Sequence, residues 1–151
     1  MAHLARLRWW HIPHIVAMEN EIFGADAWTA PMLWSELACG FRYRIAVSDG
    51  NIVGYAGLAM YEGGEEAWVN NIAVSPEVRR GGVGRLLLED MLRTARADGR
   101  EAVLLEVATD NLPAQKLYAA YGFEGVGIRK NYYQATGQDA AVMRLDLEEA
   151  Q

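Results

Sequence analysis

A chain of 151 residues that is 52% hydrophobic and 23% charged has the length and apolar content for one domain, spanning residues 1–151, with a packed core; disorder and fibrous repeats are excluded. A formal charge of −6 is unsuited to wrapping a phosphate backbone, so no direct nucleic-acid partner is expected and a cationic one fits better. The single cysteine, Cys39, excludes an internal disulfide; no apolar run reaches the ~18 residues of a membrane span or reads as a signal peptide, so a soluble cytoplasmic protein with no membrane partner is expected.

Residues 4–10 read as a short strand. Ile12-Pro13 then opens a helix, because proline is tolerated in a first turn; Ile15, Met18, Glu19 and Ile22 follow at helical spacing and Gly24 ends it. A second short helix has Thr29 as N-cap, Pro31 just inside, and Leu33, Trp34 and Leu37 along it. Residues 43–47 form a strand, Asp49-Gly50 a type I′ hairpin turn whose two central positions need positive φ, and residues 51–60 the return strand. Glu62-Gly63-Gly64-Glu65 turns the chain into a third strand, residues 67–74, stopped by Ser75-Pro76. A helix follows Gly84, with Val83, Leu86, Leu87, Met91 and Ala95 on its apolar face and Gly99 at its end. Residues 102–107 are nearly all apolar, as a buried central strand would be. Residues 111–121 form a helix closed by Gly122, and residues 123–133 and 141–147 a terminal strand pair around Gly137. The order is mixed α/β, with hairpins first and a strand-helix-strand-helix unit after. Cys39 is expected to be a small buried hydrophobe, and the five tryptophans to serve the core rather than a nucleic-acid platform.

The chemistry concentrates after the third strand, where Arg79-Arg80-Gly81-Gly82-Val83-Gly84 leads into a helix. Glycines let backbone N–H groups point into one concavity, and a helix N-terminus adds a favourable dipole of ~0.3–1 kcal/mol per charge. Arg79 and Arg80 add formal charge. The hexamer alone supports an anion site or a glycine-rich helix start that binds nothing. It is neither a Walker loop, lacking Gly-Lys-Ser/Thr, nor the Gly-x-Gly-x-x-Gly dinucleotide fingerprint.

Arg79-x-x-Gly82-x-Gly84 after Asn71-Ile72-Ala73-Val74 resembles the coenzyme A motif of the GNAT acetyltransferases, and Asn111-x-x-Ala114-x-x-Leu117-Tyr118 with Tyr121-Gly122-Phe123 is similar to the second signature of that family. The resemblance covers nearly the whole chain. It implies a mostly antiparallel sheet of about six or seven strands with a central parallel, splayed pair, flanked by about four helices. It also implies acetyl-CoA as co-substrate and no metal. Leu105-Glu106-Val107 and Arg129-Lys130-Asn131-Tyr132-Tyr133, followed by Asp139-Ala140 and Met143, are similar to the bacterial ribosomal-protein-alanine N-acetyltransferases. That likeness implies an acceptor that is the N-terminal peptide of a ribosomal protein. Phe23-Gly24-Ala25-Asp26-Ala27-Trp28-Thr29 is longer than the compact Phe-Pro-Trp-Ser run of that type, in a segment expected to border the acceptor site.

Within this resemblance, Arg79, Arg80, Gly81, Gly82, Val83, Gly84 and Arg85 would hold the diphosphate, Asn111 would touch the cofactor, and the main chain of Ile72, Ala73 and Val74 would pair with the pantetheine arm. Asn111 also suits an N-cap, and residues 72–74 suit ordinary sheet pairing. Glu106 stands in an otherwise apolar strand, either on its solvent face or as the general base the family places there. Tyr118 is either a packing aromatic or the proton donor to the leaving thiolate. Tyr132 and Tyr133 could wall the peptide slot, with Asp139 orienting the acceptor, or belong to an aromatic hairpin with a solvated carboxylate. A small-molecule amine or lysine acceptor, and a non-catalytic acetyl-CoA module, are the alternatives. His3, His11 and His14 lack partners at metal-site spacing.

Overall fold

The computed structural model describes residues 1–147. Its strands are β1 His3–Arg6, β2 Arg42–Ser48, β3 Asn51–Ala59, β4 Glu66–Val74, β5 Ala102–Ala108, β6 Glu124–Tyr133 and β7 Gln138–Asp146; its helices are α1 Ile12–Phe23, α2 Ala30–Ala38, α3 Val83–Ala97 and α4 Leu112–Ala120. The strands form one seven-stranded sheet in the order β1-β2-β3-β4-β5-β7-β6. Every pair is antiparallel except β4 and β5, which α3 joins as the crossover that a parallel pair requires.

Each face of the sheet has its own core. On one, Val69, Leu87, Leu88, Met91, Leu105, Tyr118 and Phe123 pack α3 and α4 against the strands. On the other, Ile12, Ile15, Leu33, Tyr43, Ile45, Tyr55 and Ala73 seat α1 and α2. The hairpin turn has the expected backbone, with Asp49 at φ 51° and Gly50 at φ 79°. Thr29 caps α2 by accepting from the Met32 N–H at 3.4 Å.

The centre of the sheet opens. β4 and β5 are paired from Glu66↔Ala102 to Val69↔Leu105 and no further, although they run on to Val74 and Ala108. Gly57 pairs with Asn71 while Leu58 pairs with Val69, so Asn70 is the extra residue of a β-bulge, and a bulge bends its strand. The bulge also turns two successive side chains to the α1/α2 face. The Asn70 amide donates to Glu36 Oε1, which also accepts from the Tyr43 hydroxyl, and Asn71 lies beside that hydroxyl.

Three expectations are corrected. The first strand stops at Arg6, not Trp10: Leu7 N–H still donates to Tyr43 O at 3.1 Å, and residues Trp9–His11 then wind into a 3-10 turn that leads into α1. Trp9, Trp10 and Trp34 are 57%, 57% and 49% exposed, because Ile12, Ile15, Met18 and Leu33 already fill the inward positions; Trp9 stacks on Trp34 with ring centroids 6.1 Å apart. Cys39 is exposed, since it caps the C-terminus of α2.

Candidate active site at the splayed strands

The turn before α3 is wound tightly, with Val78 N–H donating to Ser75 O and Gly81 N–H to Val78 O, both at 3.1 Å. Arg80 has φ 72°, and Gly82, the N-cap of α3, has φ 83°, a left-handed backbone that glycine adopts without strain. The Leu86 N–H bonds back to Gly82 O, so the N–H groups of Val83, Gly84 and Arg85 precede the first intrahelical donor and face outward unpaired. A Cβ on Gly84 would touch Leu117 Cδ2 at 3.4 Å and Val74 Cγ2 at 3.8 Å, so this glycine lets the helix start lie against the ends of β4 and α4. Arg79 and Arg80 are exposed beside it. Orphan N–H groups, a helix dipole and two guanidinium groups fit a diphosphate. Arg85 lies over the Tyr121 ring at 5.9 Å, and the Tyr121 hydroxyl donates to Glu89 Oε1 at 2.6 Å. Asn111 caps α4, its Oδ1 accepting from the Ala114 N–H at 3.3 Å.

Ile72, Ala73 and Val74 pair with Ala56, Tyr55 and Gly54 of β3. Their other edge lies beyond the last β4–β5 pair and has no partner strand, which leaves main-chain groups free for an extended ligand. Across the opening stands Glu106. Its neighbour Leu105 belongs to the core under α3, so alternation turns Glu106 to the opposite face. Its side chain is 14% exposed, Oε1 lies 3.5 Å from Arg129 Nε, and Oε2 is buried without a hydrogen-bond partner. A buried carboxylate oxygen left over in this way is available to a water or an amine.

Tyr118 of α4 is 5% exposed, its ring tilted against Phe123 at 5.9 Å. Burial, and then the nearby Tyr133, hold its phenol well above the ordinary range. Tyr132 is pushed up to about 12 by burial and by the Glu106 carboxylate beside it. Tyr133 is raised by burial and then by Glu106, Asp26 and Asp110. The two rings meet edge to face at 5.1 Å. They reach Glu106 because β6 leaves its ladder: Arg129 pairs with Ala140 and Tyr133 with Gln138, so residues 130–132 bulge outward. Asn131, at φ 52°, donates its N–H to Asp139 Oδ1 at 2.8 Å. Asp139 thus braces the bulge.

The structure therefore brings Tyr132 and Tyr133 to Glu106 beside the opening and the Arg79–Gly84 turn to the end of β4, whereas Tyr118 lies in the core under α4 and approaches the group only through Tyr133. Three further partners have no local signal in the sequence. Arg129 lies within the Arg129–Tyr133 segment, but nothing near it announces its pairing with Glu106. Glu19, which sequence marks only by its helical spacing, is 1% exposed and accepts the Trp28 N–H at 3.1 Å. Thr136 Oγ1 donates to Asp26 Oδ2 at 2.9 Å across a separation of 110 residues. Among the described residues no helix is long and apolar enough to cross a membrane.

A strand opening beside a glycine-rich helix start, with the Glu106 carboxylate next to it, is an arrangement that fits an extended anionic ligand. The model of the acetyltransferase (GNAT) family matches residues 6–123, and the chain belongs to that family. The chain is 39% identical over 133 residues to the N-alpha-acetyltransferase RimI of Mycobacterium tuberculosis, covering 85% of this chain and 82% of that one. Its structure superposes on the ribosomal-protein-S18-alanine N-acetyltransferase of Escherichia coli with TM-score 0.86 and 28% identity, covering 100% and 97% of the two chains. Ard1 of Thermoplasma volcanium gives TM-score 0.86 at 25% identity, covering 98% and 99%.

Proposed function

We propose that this protein transfers an acetyl group from acetyl-CoA to the N-terminal α-amine of a protein in the cytoplasm, a ribosomal protein that begins with alanine. The relatives named for that reaction support the acceptor, and the opening between β4 and β5 supports the donor. The single observation that carries the chemistry is the unpartnered Glu106 Oε2 at that opening.

Bound acetyl-CoA supplies a thioester whose carbonyl carbon accepts the amine nitrogen. The N–H groups of Val83, Gly84 and Arg85, with Arg79 and Arg80, neutralise the diphosphate, and Asn111 adds a contact from the start of α4. The free main-chain edge of residues 72–74 aligns the donor arm; an N–H there, donating to the carbonyl oxygen as it gains charge, is worth about 2.7–4 kcal/mol. Glu106 takes the proton of the acceptor ammonium through water and passes it to solvent, and takes the second nitrogen proton by the same route as the tetrahedral adduct collapses and its C–S bond breaks. Tyr118, kept neutral by its burial, gives its proton to the leaving sulfur and regains one from solvent. Tyr132 and Tyr133 wall the slot that the acceptor enters, and Asp139 holds their bulge in place.

Incubation with acetyl-CoA, an alanine-first peptide and an N-blocked lysine peptide tests the reading. Acetylation of the α-amine supports it. Acetylation of the blocked peptide alone, or only of small amines, would replace it with a different acceptor class.

A further inference from the structure

The segment between α1 and α2 is fastened at both sides. Gly24 begins it with φ 55° and ψ −119°, a backbone that a side chain rarely permits, and a 3-10 turn then closes from Ala27 N–H to Gly24 O at 3.1 Å. At its far end the Trp28 N–H is held by the buried Glu19. From its middle Asp26 reaches out and accepts the Thr136 hydroxyl at 2.9 Å. Thr136 belongs to the turn that directly follows Tyr133: the N–H groups of Thr136 and Gly137 donate to Tyr133 O at 3.2 and 2.7 Å. Asp26 is also close enough to Tyr133 to oppose ionisation of its phenol, alongside Glu106. Residues 24–29 therefore form a strap that runs from the α1/α2 layer to the lip of the Glu106 site, and one hydrogen bond closes it there.

Both ends of that bond lie outside the coenzyme A loop and the Glu106 and Tyr118 pair. The strap turns at Gly24, is held at Trp28 by Glu19 and is tied to the lip through Asp26, so the width between strap and lip depends on that contact. We propose that Asp26 and Thr136 are acceptor-specificity residues, and that their hydrogen bond sets the width of the acceptor mouth so that a chain end with a small first side chain enters and a large one is held out. This rests on the reading of the acceptor as an N-terminal α-amine. What selects is the tether, and the charge of Asp26 is secondary to it.

The test measures kcat/KM with acetyl-CoA for peptides that differ only in a first residue of alanine or phenylalanine. Wild type is compared with D26A, D26N, T136V and T136S, each checked for an unchanged unfolding temperature. D26A and T136V delete the bond. D26N retains an acceptor oxygen without the charge, and T136S retains the hydroxyl. The alanine-to-phenylalanine ratio should fall about tenfold in D26A and T136V, the discrimination that a methylene or two carries in a fitted pocket. It should stay within about threefold of wild type in D26N and T136S, since the bond survives. An unchanged ratio in D26A and T136V overturns the proposal, as does a D26N ratio equal to that of D26A. If the reading of the acceptor is wrong, wild type itself will acetylate neither α-amine, a failure distinct from any result confined to the variants.

Discussion

Replacing Glu106 by glutamine isolates proton transfer from everything else the site does. The two side chains are the same size, and the amide would occupy a position that is 14% exposed between Leu105 and Val107. Two things change. The ion pair with Arg129 at 3.5 Å is lost; Arg129 is 54% exposed, so water screens the pair and its loss costs about 0–1 kcal/mol. The buried, unpartnered Oε2 also ceases to be a charged acceptor, which relieves a desolvation cost of the same order. Stability should thus move by less than about 1 kcal/mol. The reaction loses its base, and kcat should fall about 10²–10³-fold, or about 3–4 kcal/mol in the barrier. KM for acetyl-CoA should change little, because the diphosphate is held at the α3 N-terminus, on other elements. Thiol release with an alanine-first peptide, read under saturating acetyl-CoA for kcat and across an acetyl-CoA titration for KM, measures both constants. A kcat within about threefold of wild type in a folded E106Q protein, against the loss a general base carries, would refute Glu106 as the base.

Tyr118→Phe should lower kcat about 10²-fold with an unfolding temperature close to wild type, since no hydrogen bond of that hydroxyl is found among the described residues; wild-type turnover in the variant would remove the acid role. Burial and Tyr133 raise the Tyr118 phenol, so it stays protonated through the working range, and a drop in kcat between about pH 8 and 9 that Y118F abolishes would contradict this. Gly82→Ala places a side chain at φ 83°, a strain of about 1–2 kcal/mol, so acetyl-CoA should bind about 5–30-fold more weakly by calorimetry; an unchanged Kd would mean the turn does not shape the site. Burial raises Glu19 to about 6 from 4.5, so the folded state holds its proton more tightly than the unfolded chain does. Its contribution is complete below about pH 4.5 and disappears as pH rises through about 6, an interval worth about 2 kcal/mol. Urea unfolding at about pH 5 and about pH 7.5 should show E19Q gaining on wild type by about 1 kcal/mol at the higher pH, since part of the interval already lies below pH 5, and a difference that is the same at both would contradict the assignment.

Local signals carried well. Asp49-Gly50, the Thr29 and Asn111 caps and Gly82 before α3 are each decided by a residue's own backbone or by a partner three residues away, and a single sequence displays those. Glu106 stands out because its strand is otherwise apolar. What escaped depends on distant pairing. The bulge at Asn70, which opens β4 from β5, exists only in register with Gly57 and Leu58. Trp34 fits helical patterning as a core residue and Trp9 falls in the expected first strand, and only the seating of Ile12, Ile15 and Leu33 turns them outward. Arg129 beside Glu106, and Asp26 on Thr136, join elements that no local period connects. The donor half of the site is written mostly in contiguous motifs, whereas the acceptor half is assembled from three separate segments.

The most direct measurement is the mass and position of the acetyl group on an alanine-first peptide after incubation with acetyl-CoA and enzyme. A single added acetyl on the α-nitrogen, absent when the peptide's N-terminus is blocked, is the expected result. Acetyl found only on a lysine side chain, or no transfer to any amine by protein that binds acetyl-CoA, would contradict the account.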